Sequence, residues 1–101
     1  MEIRRTTLLE DFMIKHARSV KSIPKWMDVV EAAQWSSFDD VKKDFNTADQ
    51  FDNLIVFDVG GNNFRIVVIA YFNNGVILIK EVMTHAEYDK WNKRRSKKRK
   101  C

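Results

Sequence analysis

Apolar residues recur at helical steps through the first half of the chain and at strand steps through the second. Leu8, Leu9, Phe12, Met13 and His16 fall three and four apart, so a first helix is expected to lay one face on a core. Thr7 and Glu10 at its start have capping-box spacing, in which hydroxyl and carboxylate each take a backbone N–H of the other residue. His16, near the end of that helix, is read as a packed residue or a partner for the helix dipole. Trp26, Val29, Val30 and Ala33 make the stripe of a second helix, entered at Ser22 with Pro24 tolerated in its first turn. Ser37 and Asp40, with Phe38, Val41 and Phe45 behind them, predict a third, short helix. Residues 1–5 alternate weakly, as a short edge strand would, and the polar stretch 46–53 predicts a loop.

From residue 54 the period changes to two. Residues 54–59, 63–72 and 76–83 predict three strands, joined at Gly60-Gly61-Asn62 and at Asn74-Gly75, both of which tolerate the positive φ of a hairpin. Thr84 and Glu87 repeat the capping-box spacing and open a terminal helix or turn. The fold class that follows is α+β: N-terminal helices packed on an antiparallel β-meander. Alternation assigns Phe57, Val59, Phe64, Ile66 and Val68 to the layer under the helices. Asp58 and Arg65 then share the opposite face, with Lys80 of the last strand a neighbour if the register allows. An arginine amid FRIVVIA is costly to bury, so it must face water or meet an anion.

The chain has 101 residues, which suits a single compact domain. Its net charge of +4 suggests a nucleic-acid partner until the charges are located. Seven of the 18 cations lie in residues 93–100, leaving 11 basic against 14 acidic side chains before them. The expected division is therefore a domain over 1–92 and a basic, disordered tail over 93–101, which adds salt-dependent attraction to phosphates and no chemistry. The longest run free of charge and of strong turn formers, 66–72, is far too short to span a bilayer. The first twelve residues do not read as a secretory signal. With Cys101 as the single cysteine, no intramolecular disulfide is possible, and the expected location is the cytoplasm with no membrane partner. Two histidines 69 residues apart supply no zinc-ligand spacing, and Gly60-Gly61 lacks the Gly-Lys-Ser/Thr of a phosphate loop, so neither metal nor cofactor is expected.

Two blocks, VFDVGGNNFRIV at 56–67 and VMTHAEYD at 82–89, resemble the HigB family of type II toxins, a branch of the RelE/ParE-like superfamily. The likeness covers roughly residues 3–90. It implies a RelE/ParE-like fold and an mRNA interferase, an endoribonuclease that cleaves mRNA on the ribosome without a metal. It also implies a HigA-type helix-turn-helix antitoxin as partner, through which alone operator DNA is met. The candidate site residues are Arg65, His85, Tyr88, Glu87 and Lys80.

Each candidate has a chemical reason to be there. Cleavage by the adjacent 2′-hydroxyl needs its proton removed, the phosphorane charge stabilised and the leaving 5′-oxygen protonated. Arg65 offers a planar, permanently charged fork for phosphate oxygens, and Lys80 a second cation. His85 is the natural proton carrier. Tyr88 can stack on a base or donate its phenol, and Glu87 can act as base or orient His85. A structural role stands beside each: Arg65 paired with Asp58, His85 held at a helix start, Glu87 closing the box, Tyr88 packing on the sheet, and Trp26, Trp35 and Trp91 as core or lid. Where the lysine-rich RelE branch carries strand lysines, this chain has Val56 and Asp58. Two other functions fit the same composition: a ParE-like gyrase inhibitor, and a nonenzymatic module that holds RNA or ribosomes.

Overall fold

Helix and strand periods in the sequence translate into two layers in a computed structural model, which describes residues 1–61 and 63–100. The expectations placed on Asn62, on Cys101 and on the side chains of 93–100 lie outside the described residues. The first layer holds α1 (Thr7–Lys15), a 3-10 turn (Ala17–Lys21), α2 (Ile23–Ala32) and α3 (Phe38–Asp44). The second is a five-stranded sheet of β1 (Glu2–Arg4), β2 (Asp49–Phe51), β3 (Leu54–Val59), β4 (Phe64–Tyr71) and β5 (Val76–Thr84), in the order β1-β5-β4-β3-β2. A last helix, α4 (His85–Lys100), follows β5 with no loop between them, and the expected division at residue 92 falls inside it.

The meander β3-β4-β5 is antiparallel throughout, as its hairpin signals predict. The edge strand expected over residues 1–5 forms as β1, but its parallel pairing and one further strand correct the expectation of a purely consecutive antiparallel sheet. β1 pairs parallel with the start of β5, Glu2 opposite Val76 and Arg4 opposite Leu78. The stretch expected to be a loop contains β2, which pairs Asp49–Phe51 back onto Val56, Ile55 and Leu54. That strand is only three residues long, too short for alternation to show.

Phe57, Val59, Phe64, Ile66 and Val68 all lie in the main core, packed with Leu9 and Phe12 of α1, Trp26 and Val30 of α2 and Val41 of α3. Phe57 is its hub: Trp35 stacks along its ring at 6.1 Å, and Trp26 and Phe45 meet it edge-on at 5.2 and 5.1 Å. His16 packs its ring against Phe12 at 4.3 Å, in keeping with its structural reading. No helix among the described residues is long and apolar enough to cross a membrane.

Of the expected helix caps, one forms as predicted. Thr7 lies inside α1, whose N-cap, Thr6, makes no side-chain cap bond, so the Thr7–Glu10 box is absent. Ser37 makes no cap bond to α3 either; Asp40 instead reaches back to Ser36, accepting from its backbone N–H and its hydroxyl at 2.9 Å each. These bonds, the backbone one first, hold the Asp40 carboxyl below its ordinary pKa. The box at Thr84 and Glu87 is complete: Thr84 N–H donates to Glu87 Oε1 at 2.8 Å, and Glu87 N–H to Thr84 Oγ1 at 3.2 Å.

Gly60 begins the β3-β4 turn at φ +69°, and a Cβ there would stand 2.9 Å from Phe64 Cδ2 and 3.0 Å from Ser22 Oγ. Gly60→Ala is therefore expected to cost about 1–3 kcal/mol in denaturant unfolding. Gly75→Ala, at φ +68° with open space around it, should cost the lower end of that range. Equal midpoints for the two variants would contradict the crowding at Gly60.

Candidate active site

The face of the sheet turned away from α1–α3 carries a second, smaller apolar cluster. Val56, Val67 and Met83 are buried there, with Phe51, Leu54, Tyr88 and Trp91 packed against them. Arg65 sits among these residues and is only 6% exposed. The strand register explains how a cation is tolerated at that depth. Asp58 lies directly opposite on β3, and its Oδ1 accepts from Arg65 Nε at 2.9 Å. Nη1 donates to the Phe64 carbonyl at 3.2 Å, and the guanidinium carbon lies 5.2 Å from the centre of the Tyr88 ring. The arginine thus forms the cross-strand pair with Asp58 while lying against the Tyr88 ring.

α4 supplies the rest. Because β5 runs straight into it and Phe64 pairs with Thr84, His85 emerges one position beyond that pair and two beyond Met83, the partner of Arg65. The His85 N–H donates to the Asn63 carbonyl at 2.9 Å, fastening the helix start to the β3-β4 turn. Arg65 Nη2 then lies 3.1 Å from His85 Nδ1. A guanidinium is always a donor, so Nδ1 must be the acceptor and the neutral imidazole carries its proton on Nε2. Nε2 faces Asp89 Oδ2 at 3.4 Å, one helical turn along. Asp89 was not among the expected site residues, although its i,i+4 spacing from His85 was visible in the sequence.

Tyr88, also one turn into α4, is half-buried between the guanidinium and the Trp91 ring, whose centre is 5.7 Å away. Burial, with the Asp49 carboxylate next in weight and those of Asp58 and Asp89 behind it, raises the phenol pKa above its ordinary value against the opposing pull of Arg65. The hydroxyl therefore stays protonated throughout the physiological range. Trp26 and Trp35 are core residues as expected, whereas Trp91 lies on this outer face.

Glu87 and Lys80 fall outside this group. One Glu87 oxygen is engaged by the Thr84 N–H in the capping box. Glu87→Gln keeps that geometry and should leave thermal unfolding unchanged, while Thr84→Ala should cost about 1 kcal/mol. A larger loss for the glutamine variant would show that its charge is needed. Lys80 is the extra residue of a bulge: Val67 pairs with Glu81 and Val68 with Ile79, leaving Lys80 without a partner position. Three residues from Met83, it stands roughly 10 Å along the strand from the position facing Arg65.

The assembled group is thus Arg65, His85 and Tyr88, held by Asp58 and Asp89. It brings a largely buried guanidinium, an imidazole in a defined tautomer and a protonated phenol together on the outer side of the sheet. Such a set suits an anionic oxygen centre at which protons must move.

A family model described as the HigB toxin, RelE-like toxic component of a toxin-antitoxin system, matches residues 19–91. Over 52 residues the chain is 44% identical to the mRNA interferase toxin HigB of Escherichia coli strain K12, a stretch covering 48% of this chain and 50% of that protein. The mRNA interferase HigB of Shigella flexneri gives the same figures. The mRNA interferase HigB of Escherichia coli O6:H1 is 28% identical over 93 residues, covering 89% of this chain and 90% of that protein. The match to the first of these relatives spans about half of its length.

Proposed function

The chain belongs to the HigB toxin family, and on that premise we propose that it is the mRNA-cleaving toxin of a type II toxin-antitoxin pair, a metal-independent endoribonuclease acting in the cytoplasm on ribosome-bound message. A HigA-type antitoxin is its expected partner. Residues 1–92 form the working domain, and the basic run after them adds salt-dependent attraction to RNA. The names of the similar proteins support this reading. The observation that carries it chemically is the 3.1 Å approach of Arg65 Nη2 to His85 Nδ1.

When a phosphate oxygen takes the Nη2 donor, His85 Nδ1 loses its partner and presents a lone pair next to the phosphorus. That nitrogen removes the 2′-hydroxyl proton. The 2′-oxygen then bonds to phosphorus, charge gathers on the equatorial oxygens facing the guanidinium, and the bond to the 5′-oxygen breaks as it gains a proton. The protonated Tyr88 phenol, whose ring lies 5.2 Å from the guanidinium carbon, is the proposed donor of that proton. Products are a 2′,3′-cyclic phosphate and a 5′-hydroxyl end.

The test is to induce the chain in growing cells and map message ends. New 5′-hydroxyl ends within reading frames are expected soon after induction, with intact chromosomal supercoiling. Loss of supercoiling with no new RNA ends would overturn the proposal in favour of a gyrase inhibitor. Growth arrest that depends wholly on the basic run, with neither effect, would favour a nonenzymatic binding module.

A further inference from the structure

Beside the Arg65 group lies a cavity of about 620 Å³ that the chemistry above does not use. Lys80, Glu81, Met83, Lys90 and Trp91 line it, with Leu8 of α1 at its far side. It is contiguous with the reacting centre in two ways. Met83 is the residue paired with Arg65 across β4 and β5. The ring of Trp91 lies 5.7 Å from that of Tyr88, which itself lies 5.2 Å from the guanidinium carbon. An aromatic path therefore leads from the scissile phosphate position into the cavity.

The lining has the makings of a base reader. Trp91 contributes an aromatic ring to the lining, and stacking on an aromatic ring holds any nucleobase. Lys80, re-aimed by the bulge, and Lys90 put two cations at the rim, where the phosphate flanking the stacked base would pass. Of the two carboxylates in the lining, Glu87 is already engaged by Thr84, whereas Glu81 is exposed on the strand. An ionised carboxylate only accepts hydrogen bonds, so it favours a base edge carrying an amino group, as in adenine, cytosine or guanine. Uracil offers it only the N3–H between two repelling carbonyls, a poorer match.

We propose that this cavity is a nucleobase subsite next to the scissile linkage, in which Trp91 stacks the base, Glu81 selects an amino-bearing edge, and Lys80 and Lys90 hold the flanking phosphate. Lys80 thereby binds substrate and takes no part in proton transfer. The inference rests on the nuclease reading, and its test separates the two.

Cuts in a mixed-sequence message would be mapped in a translating extract with the wild-type chain and with Glu81→Ala, Trp91→Leu and Trp91→Phe. The wild type should disfavour uracil at one position flanking the cut. Glu81→Ala, an exposed change, should lose that discrimination by about tenfold while still cutting. Trp91→Leu should lower cutting about tenfold at every site, and Trp91→Phe should restore most of it. A Glu81→Ala profile identical to wild type, or full activity in Trp91→Leu, would overturn the subsite and leave the nuclease reading standing. Variants that cut normally but escape neutralisation by the antitoxin would make the cavity a protein contact and likewise overturn it. A wild-type chain that cuts nothing would defeat both readings.

Discussion

Arg65→Lys should reduce single-turnover cleavage by about 10²–10³-fold and abolish growth arrest while the protein remains folded. Lysine keeps a positive charge opposite Asp58, so the half-buried carboxylate keeps a cation beside it. What it loses is the fork, which in the native chain holds Asp58 with Nε at 2.9 Å and meets His85 with Nη2 at 3.1 Å. A single ammonium cannot satisfy both and still offer two aligned donors to a phosphorane. Arg65→Ala is the cruder variant, because it leaves Asp58 with no cation and a void beside Tyr88. Its loss of activity could reflect unfolding. The lysine variant, checked by thermal unfolding, separates the two causes, and wild-type cleavage rates in it would remove Arg65 from the mechanism.

His85→Asn is the second large effect, a loss of about 10²–10⁴ in the cleavage rate. Asparagine places an oxygen near the site of Nδ1, so it still accepts from Arg65 Nη2, and it suits the start of a helix. It has no proton to exchange. The variant should therefore bind RNA as the native chain does and show a flatter pH–rate profile than the wild type. Retained pH dependence at a lowered rate would point to a different base and leave His85 as a positioning residue for Arg65.

The parts of the fold that could be read from the sequence are those with a long, clean period. The β3-β4-β5 meander has two turn signals and six to nine residues per strand, and the faces assigned to Phe57, Ile66 and Val68 match the core. The three-residue strands β1 and β2 carry too little pattern, and the pairing of β1 depends on a contact with residues more than seventy positions away. Caps were legible only where the backbone allowed them: Thr7–Glu10 and Thr84–Glu87 have the same spacing, yet the first lies a residue too far into its helix. Arg65 and His85 were readable as chemistry, but their tautomer-fixing contact depends on the direct passage of β5 into α4. Lys80 was misplaced relative to Arg65 because a bulge interrupts the alternation on which its position was judged.

That direct passage has a mechanical consequence. With no slack between Thr84 and His85, the imidazole and the Tyr88 ring ride on one stiff rod anchored at its base by the capping box and the Asn63 carbonyl. Leverage applied farther out along the rod would swing the Tyr88 ring off the guanidinium while His85, at the anchored base, keeps its place beside Asn63.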